Sequence, residues 1–436
     1  MMNQTKLFAV TGNPVLHSKS PPMFNRQFTL KEKDAAYFRM AASSADEAVR
    51  LFRLSGLSGM NVTAPFKKEI MGLLDWTDPE ANKIGAVNTI TEKGGRLLGY
   101  NTDHIGVTGA LSESGFNPEG KKCTVVGGGG AGRAAVYGLV NSGARVTVID
   151  IDEKTAAKTA GELDCSFAVY SSLRSYAENS DLLVYATDTS HKAVDPDWLK
   201  EGQVIFDVNY KGSLFEDVAR EKGCRLVGGL QMLLNQAIPA YKYFLNDHPD
   251  IESMREALEE ERETKKNVIA LTGFMGTGKS ATGKKLAEML GYDHVETDLM
   301  IEKKAGCSIS EIFSSRGEDW FRNTEEEVIR EAISGYNLVV SCGGGAILSP
   351  SNRSELKKAV TVWLYCSTRT GTERANDGTR PLLNVENPLE QAGQLMLKRK
   401  GFYARSCDLM VSTEDRAVGS VAKIIEKERN SLSQGQ

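Results

Sequence analysis

A glycine-rich loop near the start of the last third of the chain has the residue types for binding phosphate. Residues 273–280 read G-F-M-G-T-G-K-S, which fits the pattern G-x-x-x-x-G-K-[S/T]. An apolar run at 268–271 precedes the loop and a helical pattern follows it. Between a strand and a helix, such a loop directs backbone N–H groups and the helix N-terminus at phosphate oxygens, a context that a chance glycine-rich turn would lack. The predicted nucleotide and Mg²⁺ ligands are Gly273, Gly276, Thr277, Gly278, Lys279 and Ser280.

A second glycine-rich loop follows the apolar strand predicted at 123–126. Gly127, Gly129 and Gly132 give G-x-G-x-x-G, and a helical pattern begins at Arg133. The next predicted strand, at 144–150, ends at an acidic residue. This βαβ arrangement predicts a dinucleotide site with the pyrophosphate on the helix N-terminus.

Asp150 bears on the choice of dinucleotide. An acid at the end of the second strand accepts a hydrogen bond from the ribose 2′-OH of NAD and repels a 2′-phosphate. Residues 150–154 read D-I-D-E-K, so acids dominate the turn and NAD(H) is favoured. NADP stays open, because Arg133 or Lys154 could reach a phosphate. A simpler role for Asp150, capping the following helix, also stays open.

The first hundred residues carry candidate proton-transfer groups at predicted strand ends. Lys67 comes shortly after an extended segment that begins at Gly59 and stops at Pro65. Asp103 comes after a predicted strand at 84–90 and ends a hairpin-like unit that follows Gly94 and Gly95. Ser18 and Ser20 lie in a Gly/Pro-marked loop. Taken alone, a lysine such as Lys67 is usually a solvated surface residue, and serines in loops are more often N-caps or solvated. Together they suit proton transfer to a polyhydroxylated ligand.

Composition bounds the class of protein. The 436 residues suggest two or three domains, and the net charge of −4 gives no sign of a nucleic-acid or membrane surface. No run is long enough to predict a transmembrane helix, and the N-terminus lacks a secretory apolar region. The seven scattered cysteines without C-x-x-C predict free thiols in a reducing cytoplasm, and the five histidines form no metal cluster.

Further elements are predicted between the two glycine-rich loops. Apolar runs at 181–187 and 204–208 predict further strands of a parallel sheet. Residues 250–266 are rich in charge, with Glu261 four positions before Lys265, and predict a solvated linker helix.

Four motifs in the N-terminal part resemble the shikimate dehydrogenase family. They are G-x-P-x-x-H-S-x-S-P at 12–21, N-V-T-x-P-x-K at 61–67, G-A-V-N-T at 85–89 and G-x-N-T-D-x-x-G at 99–106. The resemblance implies that Lys67 and Asp103 form the catalytic pair. It also implies substrate contacts from Ser18, Ser20, Thr63, Asn88, Tyr210 and Gln236. The chain departs from the family pattern at 188–190 and 211–213 and lacks the usual arginine after position 150, which puts cofactor affinity in doubt.

Glu296 and Asp298 end a predicted strand at 292–298 and, being two positions apart, would lie on one side of it. Residues 267–436 as a whole resemble shikimate kinase. Asp298 would accept the proton of the attacked hydroxyl, Arg380 on a lid loop would stabilise the transferred phosphoryl group, and Lys279 would assist. The other roles implied by the resemblance are carboxylate binding by Arg322 and Arg399, close substrate approach at Gly343, Gly344 and Gly345, adenine contact by Arg374, and binding of Mg²⁺ water by Glu296, where the family usually has aspartate.

These observations predict an α/β protein of two modules. Residues 1–256 would form a dehydrogenase, with a substrate half (1–103 plus 235–256) and a Rossmann-like dinucleotide half (104–234), and 267–436 a P-loop kinase resembling nucleoside-monophosphate kinases. The predicted function is reduction of 3-dehydroshikimate with NAD(P)H, followed by MgATP-dependent phosphorylation of shikimate, with small molecules as partners and the oligomeric state open. A quinate/shikimate dehydrogenase acting oxidatively is an alternative that Asp150 would suit. A binding or regulatory protein with one inactive module is another, although Lys67, Asp103, Lys279 and Asp298 are all present.

Overall fold

The computed structural model describes residues 5–187, 193–210, 212–260, 265–375 and 386–433. The chain divides into two compact units: the described residues up to Ser58 together with those from Glu260 onward, and Gly59–Glu259. This division differs from the predicted modules, because the first 58 residues group with the C-terminal part of the chain. The predicted module boundaries stay a prediction.

The N-terminal segment begins with an alternation of strand and helix that buries both strands. Its elements are β1 (Lys6–Gly12), α1 (Ser20–Leu30), β2 (Ala35–Ala41) and α2 (Ala45–Ser55). Pro21 lies at the start of α1, where a missing N–H costs nothing, and the Ser44 side chain caps α2 by accepting from Glu47 N. In β2 only Arg39 is partly exposed. A strand buried on both faces has a neighbour on each side in most sheets, and β2 does.

The second unit starts with a small mixed sheet in the order β3-β5-β6-β4. Its elements are β3 (Gly59–Val62), β4 (Trp76–Thr77), α3 (Pro79–Ile84), β5 (Thr89–Lys93), β6 (Arg96–Tyr100) and α4 (Asp103–Glu113), with a 3₁₀ helix at Glu69–Leu73. The hairpin between β5 and β6 is confirmed, and Gly94 and Gly95 form its turn. The strand predicted at 84–90 is wrong. Asp78 caps a helix that ends at Ile84, so the strand begins only at Thr89.

A six-stranded parallel sheet, in the order β12-β11-β10-β7-β8-β9, forms the rest of this unit. Its strands are β7 (Lys122–Val126), β8 (Arg145–Ile149), β9 (Ser166–Phe167), β10 (Leu182–Tyr185), β11 (Val204–Asp207) and β12 (Arg225–Gly228). The helices are α5 (Gly130–Asn141), α6 (Glu153–Leu163), α7 (Leu173–Asn179), α8 (Glu216–Lys222), α9 (Gly229–Leu245) and α10 (Ile251–Glu259), with 3₁₀ helices at Tyr170–Ser172 and Pro196–Trp198. The Rossmann-like arrangement predicted from the sequence is thereby confirmed.

The charge-rich linker is only partly the solvated helix that its sequence predicts. Helix α10 ends at Glu259, and its Met254, Ala257 and Leu258 are buried. Lys265 already belongs to the next strand, and Glu261, its predicted helical partner, lies outside the described residues. The apolar face of α10 therefore packs on protein instead of facing water.

The C-terminal segment has the alternating strands and helices of a P-loop fold. Its strands are β13 (Lys265–Gly273), β14 (Asp293–Glu296), β15 (Leu338–Ser341), β16 (Ala359–Tyr365) and β17 (Leu409–Ser412). Its helices are α11 (Lys279–Leu290), α12 (Thr297–Ala305), α13 (Ile309–Ser315), α14 (Gly317–Ser334), α15 (Pro350–Leu356), α16 (Thr368–Ala375), α17 (Pro388–Ser406) and α18 (Val418–Ser433), with a 3₁₀ helix at Ala346–Leu348. Strand β13 contains residues 268–271 and confirms the strand predicted before the phosphate-binding loop.

One parallel sheet runs through the whole first unit. The strand order is β14-β15-β13-β16-β17-β2-β1, so an N-terminal strand continues the sheet of the C-terminal segment. Leu409 pairs with Arg39 and Met410 with Met40 across the β17–β2 junction. Beside it, the Phe38 ring lies 5.7 Å from the ring of the fully buried Trp363. Burying such aromatic side chains contributes about 1.5 to 3 kcal/mol each, so the two segments share one core.

The described residues contain no helix that combines the length and the apolar character needed to cross a membrane. Among the same residues, His, Cys, Asp and Glu form no group of three that could hold a metal ion. The seven cysteines are free thiols, as their spacing predicts.

Candidate active sites

Lys67 and Asp103 form an ion pair in the second unit. The lysine Nζ lies 2.7 Å from Asp103 Oδ2, and their side chains are 17% and 6% exposed. Lys67 follows β3, and its carbonyl accepts from Val87 N at 2.8 Å, which fixes the loop. Asp103 is the first residue of α4, where a carboxylate is favoured by the helix dipole. The structure therefore brings together the two residues predicted to transfer protons.

Neutral polar side chains surround this carboxylate. Asn88 donates to Asp103 Oδ1 at 2.8 Å and to Thr102 Oγ1 at 2.9 Å. Thr102 Oγ1 in turn lies 3.2 Å from Gln236 Oε1 on α9. Asn88 and Gln236 were predicted from the sequence. Thr102 was not, although it stands inside the motif that singled out Asp103, and this placement is the signal that could have found it.

The remaining predicted substrate residues occupy separate positions. Thr63 and Tyr210 are half-buried, after β3 and β11 respectively. In the first unit, Ser18 and Ser20 are buried side by side, with Ser18 Oγ 3.3 Å from Ser20 Oγ. Residues 188–190 and Lys211, where the sequence departs from the family pattern, lie outside the described residues.

The dinucleotide loop has the shape that a pyrophosphate requires. Gly127 has a φ of 104°, a region that L side chains rarely adopt. A Cβ on Gly132 would lie 1.9 Å from Gly127 O, so only glycine lets α5 pack this closely on the loop. A Cβ on Gly129, the residue before α5, would meet nothing within 4 Å, which leaves the helix N-terminus open to a ligand.

Asp150 is attached to the glycine loop. Its Oδ2 accepts from Gly128 N at 2.6 Å and its Oδ1 from Asp152 N at 2.9 Å. The suggestion that Asp150 caps the following helix is wrong, because Asp152 is the N-cap residue of α6 and accepts from Lys154 N. The carboxylate instead stabilises the turn at the end of β8.

Arg133 points into the protein. It is 4% exposed, donates to Ile84 O and forms an ion pair with Glu162 at 2.8 Å. Arg133 Nη1 also donates to Thr159 Oγ1 at 3.4 Å. Lys154 is exposed. Of the two cations that could reach a 2′-phosphate, the lysine is exposed and the arginine is buried and already paired.

The phosphate-binding loop predicted at 273–280, between β13 and α11, has two left-handed glycines. Gly276 and Gly278 have φ values of 73° and 78°. A Cβ on Gly276 would lie 2.0 Å from Gly371 O, so the loop also packs against α16. Lys279 Nζ donates to Gly273 O at 2.9 Å and so folds back over the loop. Thr277 Oγ1 donates to Phe274 O at 2.8 Å, which closes the turn from inside.

Ser280 and Glu296 come together beside this loop. The serine hydroxyl donates to Glu296 Oε2 at 2.7 Å. Oxygen donors of this kind are what Mg²⁺ prefers, so the pair fits the predicted ion. The sequence prediction that Glu296 and Asp298 lie on one side of a strand is wrong. The strand ends at Glu296 and Asp298 lies in the first turn of α12.

Asp298 lies next to the glycine triplet. A Cβ on Gly343 would be 2.7 Å from Asp298 Oδ1, and one on Gly345 would be 3.0 Å from Arg322 Nη1. The backbone of the triplet is thus within reach of both an acid and a guanidinium. Any larger residue at these positions would fill the space between them.

Glu325 joins this cluster and was not predicted. Its Oε2 lies 3.0 Å from Arg322 Nη1, and its side chain is 2% exposed. Burial raises the pKa of the Glu325 carboxyl, while the Arg322 guanidinium lowers it and Asp298 raises it further. Its three-residue spacing from Arg322 on α14 is the signal in the sequence that could have found it.

The other predicted kinase residues are connected through neighbours. Tyr403 donates to Gly344 O at 2.7 Å and also shares a hydrogen bond with Arg399. Burial raises the pKa of the Tyr403 hydroxyl, which therefore stays a donor. Arg374 Nη2 donates to Thr413 O at 3.1 Å. Arg380 lies outside the described residues.

Comparison with known proteins agrees with this geometry. Residues 10–90 match the family model of the shikimate dehydrogenase substrate binding domain, 115–195 a putative NAD(P)-binding domain and 229–259 the shikimate 5′-dehydrogenase C-terminal domain. A shikimate dehydrogenase (NADP(+)) of Moorella thermoacetica is 35% identical over 59% of this chain and 93% of its own length. The chain belongs to the shikimate dehydrogenase family.

Solved structures give the same result for this dehydrogenase part. Shikimate 5-dehydrogenase from Thermus thermophilus, in complex with NADP(H) and shikimate, is 32% identical with a TM-score of 0.54, covering 58% of this chain and 98% of its own. Quinate dehydrogenase from Corynebacterium glutamicum, in complex with NAD, is 27% identical with a TM-score of 0.55, covering 59% and 99%.

Residues 275–429 match the shikimate kinase family model. The chain therefore joins a shikimate dehydrogenase, an oxidoreductase, to a shikimate kinase, a phosphotransferase of the same pathway. The predicted fold class and the prediction of a bifunctional enzyme are confirmed. The two domains imply small-molecule substrates, an NAD(P) cofactor and ATP.

Proposed function

We propose that the chain reduces 3-dehydroshikimate to shikimate with NAD(P)H and then phosphorylates the 3-hydroxyl of shikimate with MgATP. The observation that carries the first half is the 2.7 Å pair of Lys67 and Asp103, enclosed by amide and hydroxyl groups within a dehydrogenase fold. For the second half it is the convergence of Asp298 and Arg322 on the glycine triplet beside a P-loop. The product of one module is the substrate of the other.

In the dehydrogenase module, Lys67 is the proton donor. A nicotinamide cofactor, when bound, would supply a hydride to the carbonyl carbon. The resulting alkoxide oxygen takes a proton from Lys67 Nζ, and the same group accepts that proton in the oxidative direction. Asp103 holds the lysine in place through their 2.7 Å contact, and can accept from a neighbouring substrate hydroxyl. Asn88, which donates to the other oxygen of Asp103, fixes the orientation of the carboxylate.

The remaining polar groups would position the substrate. Ser18 and Ser20 suit the carboxylate, since two hydroxyls 3.3 Å apart can donate to its two oxygens. Thr63, Asn88 and Gln236 would bind ring hydroxyls, and Tyr210 would lie near the carboxylate. These assignments follow the family motifs.

For the cofactor we favour NAD(H) over NADP(H). Asp150 places a negative charge at the end of β8 and is tied to Gly128 N, beside the fingerprint glycines. A 2′-phosphate at this point would face that charge, whereas a ribose 2′-OH would donate to it. The NADP relatives support the opposite choice, and exposed Lys154 is the residue that would then neutralise the phosphate. Arg133 is a weaker candidate because Glu162 already pairs with it.

In the kinase module, Asp298 would accept the proton of the attacking 3-hydroxyl. Lys279 and Arg380 would stabilise negative charge on the transferred phosphoryl group. Ser280 and Glu296 would hold Mg²⁺, which neutralises phosphate charge when bound. Arg322 and Arg399 would bind the substrate carboxylate, since planar guanidinium groups match its geometry.

Steady-state kinetics on the intact chain test this proposal. We expect shikimate oxidation with kcat/KM higher for NAD than for NADP, and ATP-dependent phosphorylation of shikimate that requires Mg²⁺. Equal or better use of NADP would contradict the cofactor assignment alone. Quinate oxidation faster than shikimate oxidation would favour the quinate dehydrogenase alternative, which the similarity to the Corynebacterium enzyme keeps in view. If the intact chain shows no shikimate oxidation or no shikimate phosphorylation, the module assigned to that reaction is inactive.

A further inference from the structure

The loop that carries Ser18 and Ser20 is attached to the C-terminal helix α18. Val15 N and Leu16 N both donate to Glu428 Oε2, each at 2.8 Å. One residue earlier on the helix, Lys427 Nζ donates to Asn13 Oδ1 at 2.6 Å. Two adjacent helix residues thus fix three positions of the loop immediately before the serines.

Arg39 holds the other end of the same loop. Its Nε and Nη2 donate to Ser18 O at 2.8 and 2.6 Å. Its Nη1 lies 3.3 Å from Asp408 O, at the start of β17. The loop is therefore fixed at both ends by groups that lie on, or connect to, the C-terminal segment.

Glu428 is buried, and burying a carboxylate costs free energy unless hydrogen bonds or opposite charges stabilise it. It is 2% exposed on a helix whose Lys423 and Lys427 face water. Burial raises the pKa of its carboxyl, while the N–H groups of Val15 and Leu16 lower it. Both of these hydrogen bonds go to the N-terminal loop, and the charges of Lys427 and Arg39 also favour the carboxylate. The two bonds therefore attach the helix of Glu428 to that loop.

We propose that Glu428 is a positioning residue for the dehydrogenase: from the last helix of the kinase module it orders the loop of Ser18 and Ser20 and so sets the affinity for the substrate carboxylate. The inference rests on the proposed role of the two serines. It means that the kinase module contributes to the other module's substrate affinity through a structural contact. Binding groups must be held within about 0.5 Å of their productive positions, which a loop of this length does not achieve without external bonds.

The test is kinetic and uses the full chain. Glu428→Ala should raise the KM for shikimate in the oxidation reaction by about tenfold, with kcat changed by less than about threefold, since the loss is one of uniform binding. Glu428→Gln keeps an acceptor oxygen for the two N–H groups and should recover most of the affinity. The matched control is Glu426→Ala, which removes the same charge from a partly exposed position on the same helix. Kinase kcat and its KM for shikimate should stay at wild-type values in all three.

Lys427→Ala provides a second, milder variant should Glu428→Ala fail to fold. It removes only the exposed bond to Asn13 and should raise the same KM by about twofold to threefold. A wild-type KM in both Glu428→Ala and Lys427→Ala would overturn the inference. So would an equal loss of both activities, which would indicate general damage to α18. If the wild-type chain does not oxidise shikimate at all, the proposed function fails, and the inference with it.

Discussion

Replacing Lys67 by Met or Asp103 by Asn should slow shikimate oxidation to a similar extent, and replacing both should cost little more than replacing one. At 2.7 Å and an effective dielectric of about 20, the gross attraction within the pair is about 6 kcal/mol, so removing either partner takes away the contact that holds the other in position. A positioned general acid contributes about 10²- to 10⁴-fold, or about 2.7 to 5.4 kcal/mol of the barrier. Each single variant should lose kcat within this range.

The assay is the change of NAD(P)H absorbance at saturating shikimate. Two independent groups would lose about 10⁴- to 10⁸-fold together, whereas a pair acting as a unit should leave the double variant within about tenfold of the slower single one. Lys68→Met is the matched control, because this exposed neighbour should leave kcat unchanged. ATP-dependent phosphorylation by the same samples reports that the chain is folded. Multiplicative losses, or a single-variant loss below about tenfold, would refute the reasoning.

Three further outcomes follow from the structure. Asp150→Asn keeps oxygen for the bond from Gly128 N but removes the charge, so the ratio of kcat/KM for NADP over NAD should rise about tenfold; an unchanged ratio would mean that the carboxylate does not face the 2′ position. Lys279→Met should lower phosphorylation of shikimate by about 10²- to 10³-fold and leave oxidation intact, and a parallel loss of both would contradict separate sites. Burial lowers the pKa of His104 below its usual 6.5, against the opposing effect of Glu80, so stability present above that pH is lost as the pH falls through it. The Tm of the wild-type chain should therefore drop more between about pH 7.5 and 5.5 than that of His104→Gln, and equal drops would exclude His104 as the cause.

The chemistry-bearing residues could be predicted because they stand in short motifs at the ends of strands. Lys67 and Asp103 are 36 positions apart. Each follows a strand of the same small sheet, and the ends of strands that run in the same direction meet at one edge of a sheet. The acids at 296 and 298 show where local reading fails. Side chains two residues apart share a face only while the strand continues. The helix that begins at Thr297 turns the side chain of Asp298 to a different face from that of Glu296.

Pairing between distant strands could not be predicted in this way. Nothing in the apolar composition of β2 or β17 specifies its neighbour, because any buried parallel strand has the same pattern. The role of Glu428 could not be predicted from the sequence for a related reason. On sequence alone it is one of several charges on an amphipathic helix, and only the tertiary structure shows that it is buried against Val15 and Leu16.

The junction of β2 with β17 sets a constraint on the synthesis of this chain. Arg39 and its neighbour Asp408 are 369 positions apart, so at about 5 to 20 residues per second the ribosome completes β17 roughly 20 to 70 s after β2. Throughout that interval one edge of β2 lacks its native partner and is open to pairing with other chains. The edge of β2 is therefore a site of aggregation during synthesis, and slowing elongation in the last third of the message should increase aggregation.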